Sequence, residues 1–231
     1  MKVVILAGGL GTRISEYTKS IPKPMIPLNG KPIIYYIMKH FYNHGFKNFY
    51  VAVGYKGIVL KDFFKKNKFP WSVKLIETGQ KTMTGGRIKR LKKYIGNKRF
   101  FMTYGDGLSD VNVRNLLNFH IKNKKLATLT AVRPPARFGK IQLDAKNNVT
   151  LFREKSSLDE GWINGGFFVL EPKIFSLIKS DKTFFEKEPL QKLSQKGELK
   201  AYKHRKIWQC MDTVRDKEIL EKLLTKKIIK F

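Results

Sequence analysis

Cysteine is almost absent from this chain: Cys210 is the only one in 231 residues. A single thiol excludes an internal disulfide framework and suits a reducing compartment. Histidine is sparse too, and the four present show no zinc-ligand spacing. No apolar run approaches the length of a membrane span. The chain reads as strand from its third residue, which leaves no room for a secretory leader; a cytoplasmic protein without a membrane partner is expected. Acidic residues are few, 18 against 47 Lys and Arg, for a formal net charge of +29. That excess invites a nucleic-acid reading through phosphate neutralisation. Against it, lysine far outnumbers arginine and the cations are dispersed, whereas sequence-reading proteins rely on arginine at base edges. No nucleic-acid partner is expected, and the positive field instead helps gather small anions. Two familiar phosphate motifs are also missing. There is no G-x-x-x-x-G-K-[ST], and Gly9 and Gly11 lack the third glycine of the dinucleotide fingerprint.

What is present starts at residue 3. Val3-Val4-Ile5-Leu6-Ala7 reads as a buried parallel strand that empties into Gly8-Gly9-Leu10-Gly11-Thr12-Arg13. Glycines there let the backbone turn sharply and bring bare N–H groups near a phosphate. Thr12 adds a hydroxyl donor and Arg13 a forked cation. Lys23 follows between Pro22 and Pro24, whose fixed φ angles hold it in place. A glycine turn that binds nothing accounts for the loop alone; with the two cations added, a triphosphate cradle is the stronger reading.

Hydrophobic residues at 42% suit a globular protein. Strand-like runs at 3–7, 49–54, 73–78, 100–104 and 127–132 alternate with helical patterns at 32–43, 58–66, 86–94 and 113–122. In the first of these helices Ile34, Ile37, Met38 and Phe41 share one face. Such alternation implies an α/β, doubly wound, mostly parallel, Rossmann-like sheet with right-handed crossovers. After Pro134-Pro135 the pattern changes to shorter strands at 140–143, 149–153, 162–170 and 199–204. Helices are expected at 172–180, 189–195 and 213–225. Ligands in such sheets sit beyond the carboxyl ends of the strands, where both the glycine loop and Tyr104-Gly105-Asp106 fall. Asp106 follows a buried strand and is flanked by glycines, which suits either a metal carboxylate or a turn aspartate bonding its own loop. Asp212, just before a helical pattern, reads equally as an N-cap or a metal ligand.

The ordered set A-G-G-L-G-T-R, P-K-P-M, Met83-Thr84-Gly85-Gly86-Arg87, Thr103-Tyr104-Gly105-Asp106-Gly107, Ile163-Asn164-Gly165-Gly166 and Met211-Asp212-Thr213 resembles the sugar-1-phosphate nucleotidyltransferase family. Within it the set looks like the glucose-1-phosphate cytidylyltransferases, over residues 1 to about 224. The resemblance implies Mg²⁺-dependent transfer of a cytidylyl group from CTP to α-D-glucose 1-phosphate, giving CDP-glucose and pyrophosphate, in the service of polysaccharide biosynthesis. UTP, dTTP or another sugar 1-phosphate are alternatives, and a non-catalytic nucleotide-binding regulatory homologue is the alternative of another class. It also implies a single domain over 1–231, with about 1–133 binding nucleotide and about 134–231 forming a small sugar-binding extension and closing helix. A homo-oligomer is compatible with it.

By the same resemblance, Leu6, Gly8 and Gly9 line the nucleotide, and Gly11, Thr12 and Arg13 hold its β- and γ-phosphates. Lys23 adds charge near the reacting phosphates. Thr84, Gly85 and Arg87 fall where the base is read, with Arg87 suited to cytosine O2. Gly139, Glu154, Lys155, Asn164 and Gly165 meet the sugar phosphate, and Asp106 and Asp212 hold Mg²⁺. Arg13, Lys23 and Lys155 are the residues expected to act in catalysis. Two departures stand out: residues 61–71 bridge a segment that is longer in the cytidylyltransferases, and Cys210 occupies a place where proline is typical.

Overall fold

Alternation within the first strand sets the architecture. In the computed structural model, which describes residues 1–134, 140–153 and 161–230, β1 (Lys2–Ala7) sends Val3, Ile5 and Ala7 into one buried cluster and Val4 and Leu6 into another. Successive strand side chains point to opposite faces, so both faces of the sheet are covered. The same split recurs in β2 (Asn48–Val53), where Phe49, Val51 and Val53 join the first cluster and Ala52 the second. Strands buried on both sides read as near-continuous apolar runs, which is why they were legible.

Five further strands complete the sheet: β3 (Ser72–Glu77), β4 (Phe100–Tyr104), β5 (Ala127–Val132), β6 (Ile163–Leu170) and β7 (Leu199–Lys203). Their order is β7-β5-β6-β4-β1-β2-β3. All neighbours are parallel except β6, which runs antiparallel to both β4 and β5. The mostly parallel α/β sheet expected from the sequence is therefore present, and strands from both halves of the chain share it. Helices Ile33–Asn43, Gly57–Lys66, Val113–Asn123, Glu188–Gln195 and Val214–Thr225 lie within a residue or two of their expected bounds. None of the helices described is long and apolar enough to cross a membrane.

Three expectations change. The helix over 86–94 is two pieces, Thr84–Arg90 and Lys92–Ile95, and the one over 172–180 is a 3₁₀ segment, Pro172–Leu177. The third concerns an unexpected two-stranded ribbon that pairs Gly107–Ser109 with Trp208–Cys210. Strands of three residues are too short to show a period. This ribbon matters most for the site: Cys210 pairs with Gly107, and the Met211 N–H donates to the Asp106 carbonyl at 2.8 Å. It thereby draws the residues around Asp106 and Asp212 together.

Candidate active site

The carboxyl ends of β1 and β4 place the glycine loop beside Asp106, and the ribbon adds Asp212. Between the two carboxylates lies the Lys23 ammonium, which donates to Asp106 Oδ2 and to Asp212 Oδ1 at 2.7 Å each. Arg13 Nη1 donates to the other oxygen of Asp212 at 2.7 Å. Burial works against the charge on Lys23, but Asp106 and then Asp212 outweigh it and hold the ammonium above its usual range. Burial likewise opposes the ionised form of Asp212, and Lys23 and Arg13 reverse that, leaving its carboxyl below the usual aspartate range. Arg13 keeps 72% of its side chain exposed, whereas Lys23 keeps 9%. The first lies toward solvent on Asp212, and the second is a buried charge between the two carboxylates.

The cap alternative for Asp212 meets a different residue in the structure. The last helix is capped by Thr213, whose side chain accepts from the Asp216 N–H while Asp216 returns the bond as a capping box. Asp212 is therefore released from the cap. Asp106 gives a carboxylate oxygen to Lys23. Ligand atoms of Asp106, Asp212 and Cys210 lie within 4.8 Å of one another. Two hard carboxylates with room for phosphate oxygens fit a Mg²⁺ ion, which takes few protein ligands. Burial, with Asp106 beside it, pushes the Cys210 thiol up, so it remains protonated near neutral pH.

A cavity of about 360 Å³ opens beside this cluster, with Arg13, Asp106, Asn164, Gly165, Glu186 and Cys210 among its walls. Asn164 and Gly165 thus come to the site, on a bulged stretch of β6 whose register shifts between Asn164 and Phe168. The bulge packs closely inside the protein. A Cβ on Gly165 would lie 2.7 Å from Val132 Cγ1, and Gly166, at φ +80°, leaves no room beside the Tyr104 ring. Glu186 was not singled out in the sequence. Its two carboxylate oxygens accept from Tyr104 Oη and Thr84 Oγ1, each at 2.5 Å. A glutamate in a lysine-rich stretch carries no local signal of such a role. Gly139, Glu154 and Lys155 lie outside the described residues.

The residues expected to read the base pack against neighbouring loops. Gly85 and its neighbour Gly86 serve a close approach of protein to protein. A Cβ on Gly85 would lie 2.7 Å from the Thr183 carbonyl, and one on Gly86 would lie 2.5 Å from Asp181 Cα. Thr84 fastens the same loop, accepting from the Phe185 N–H at 2.9 Å while donating to Glu186. Arg87 is 4% exposed, and its terminal nitrogens are engaged inside the protein. Nη1 donates to Thr78 Oγ1 at 2.7 Å and the Gly79 carbonyl at 2.8 Å, and Nη2 to the Gly8 carbonyl at 2.8 Å. In this arrangement the guanidinium holds the main chain.

Residues 2–221 match the family model described as nucleotidyl transferase. The chain is 46% identical to the glucose-1-phosphate cytidylyltransferase of Salmonella typhi, over 98% of this chain and 96% of that protein. It is 40% identical to a probable glucose-1-phosphate cytidylyltransferase of Bacillus subtilis, over 94% and 93%. Among solved structures, HddC from Yersinia pseudotuberculosis, also solved in complex with GMP-PN, superposes with a TM-score of 0.76 at 28% identity. That likeness covers 96% of this chain and 99% of HddC.

Proposed function

The chain belongs to the nucleotidyl transferase family and is a nucleotidyltransferase acting on a sugar 1-phosphate; we propose that it joins CTP to α-D-glucose 1-phosphate with the help of Mg²⁺. The observation that carries this reading is the Lys23 ammonium set between Asp106 and Asp212, with Arg13 above them, at the mouth of a cavity reached by Asn164 and Gly165. Likeness to two cytidylyltransferases over more than nine-tenths of the chain supports CTP and glucose 1-phosphate.

The chemistry asks little covalent work of the protein. An oxygen of the sugar phosphate attacks the α-phosphorus of CTP, a new P–O bond forms, and the bond to pyrophosphate breaks. The attacking oxygen is already anionic, so no side chain is required as base. Acceleration comes from bringing two anions together and stabilising the charge that builds on the α-phosphate and leaving group. Arg13 and Lys23 serve that end, with Gly8, Gly9, Gly11 and Thr12 presenting donors to the triphosphate. Asp106 and Asp212 would hold Mg²⁺, which when bound would neutralise phosphate charge. Lys155 meets the sugar phosphate, assisted by Gly139, Glu154, Asn164 and Gly165.

A pyrophosphate-release assay over four nucleoside triphosphates and several sugar 1-phosphates tests the assignment. CTP with α-D-glucose 1-phosphate is expected to give the highest kcat/KM. A clear preference for UTP, dTTP, GTP or another sugar phosphate would reassign the substrates while leaving the chemistry.

A further inference from the structure

Glu186 lines the cavity together with Asn164 and Gly165, yet the transfer chemistry gives it no part. We propose that Glu186 sets the class of sugar this site accepts: its carboxylate takes a hydroxyl of a neutral hexose and turns away sugar phosphates that carry a second anion, uronates above all. This rests on the function proposed above and names the class of its second substrate.

One loop docked on another brings Glu186 to the cavity. Phe185 is fully buried in the cluster that holds Val4 and Leu6, and it pins the segment before helix Glu188–Gln195. Its N–H donates to Thr84 Oγ1 at 2.9 Å, and the Thr84 hydroxyl proton is given to Glu186 Oε2 at 2.5 Å. Tyr104 Oη donates to the other oxygen, Oε1, at 2.5 Å. Burial, with Glu186 beside it, pushes the Tyr104 phenol up, so it keeps the proton it donates. Two tethers thus hold the carboxylate, and both are neutral hydroxyls.

The unused lone pairs decide what the wall can bind. An ionised carboxylate accepts about four hydrogen bonds, and the tethers use one on each oxygen. It has no hydrogen to give, so it offers a ligand only lone pairs and negative charge. A sugar hydroxyl supplies the donor it lacks, whereas a ligand carboxylate brings a second negative charge and no donor. Neither tether carries a positive charge to offset Glu186, and Asp106 adds the same sign to the cavity wall. Arg13, a cation on that wall, is engaged by Asp212. Asn164 complements the carboxylate. Its Oδ1 accepts from the Gly166 N–H at 2.9 Å, which leaves its amide nitrogen as a donor, and the same side chain reaches the Tyr104 phenol. A donor and an acceptor therefore meet at one phenol, a pattern that suits the hydroxyls of a hexose. Like charges repel more strongly inside a cavity than in water, which makes the exclusion steep.

The test measures kcat/KM with CTP for α-D-glucose 1-phosphate and α-D-glucuronate 1-phosphate, which differ by a carboxylate at C6. Wild type should prefer glucose by about a hundredfold or more. Glu186→Gln keeps the shape and removes the charge, so the preference should shrink by about tenfold or more, through a lower KM for the glucuronate. The KM for CTP should stay within about twofold of wild type. Tyr104→Phe cuts one tether and leaves the charge; both sugars should lose efficiency together, with the preference retained. An equal loss for both sugars in Glu186→Gln would make Glu186 a loop tether and overturn the proposal. Wild type that uses glucuronate as well as glucose would overturn it too, and that arm decides even where a variant does not fold. Failure of the proposed function shows differently, as no transfer by wild type to any sugar 1-phosphate, while calorimetric binding of the two sugar phosphates still reports the charge preference.

Discussion

Asp106 and Asp212 share one ammonium, and this sharing sets what each substitution does. Asn at either position keeps an oxygen that can accept from Lys23 but loses the charge that would hold a divalent cation. Asp106→Asn is expected to retain its melting temperature while turnover falls about a hundredfold or more. Asp212→Asn should behave alike, because Thr213 and Asp216 supply the helix cap. Turnover equal to wild type at saturating Mg²⁺ would remove the substituted aspartate from the reaction. Arg13, Lys23, Asp106 and Asp212 were legible as residues because each stands in a local context that biases its role: a glycine loop, a proline pair, a strand end. Glu186 and the protein partners of Arg87 were not. Their roles arise where loops meet that are separated by about a hundred residues and by several residues to tens of residues, respectively.

At the scale of elements, the long strands and helices followed from the period of their apolar residues, whereas the ribbon joining Gly107–Ser109 to Trp208–Cys210 was too short to leave one. The helix Thr84–Arg90 illustrates a different limit: its two glycines signal a close approach without saying what approaches. Gly86→Ala sets a methyl 2.5 Å from Asp181 Cα and 2.6 Å from its carbonyl oxygen, both backbone atoms with little freedom to yield. A loss of about 1–3 kcal/mol in urea unfolding is expected, with Glu186 displaced from the cavity; an unshifted midpoint would show that the loop docks differently. Helix Ile33–Asn43 carries a pH dependence. His40 is buried against the Val111 carbonyl, and burial, aided by His44, lowers its pKa to about 4, with Asp110 and His204 the other titratable neighbours. Since the unfolded chain takes up the proton more readily, this stability is full above about pH 6.5 and erodes as pH falls to about 4. The total is of order 3 kcal/mol. Equilibrium unfolding across that range checks it, and His40→Gln should flatten the slope.

At the scale of the molecule, charge and topology act together. A net charge of +29 surrounds a site that must gather two anions, and the same field opposes nothing in the proposed reaction. One sheet joins strands from both halves of the chain, so the glycine loop and the β6 bulge that lines the cavity are fixed to one frame. The direct test is to follow CTP, α-D-glucose 1-phosphate and Mg²⁺ with the purified protein by ³¹P NMR. The expected result is loss of the three CTP resonances in step with the appearance of a sugar-linked diphosphate and one equivalent of pyrophosphate, stopped by a chelator. CTP left intact, or CTP cleaved to CMP and pyrophosphate without incorporation of the sugar phosphate, would contradict it.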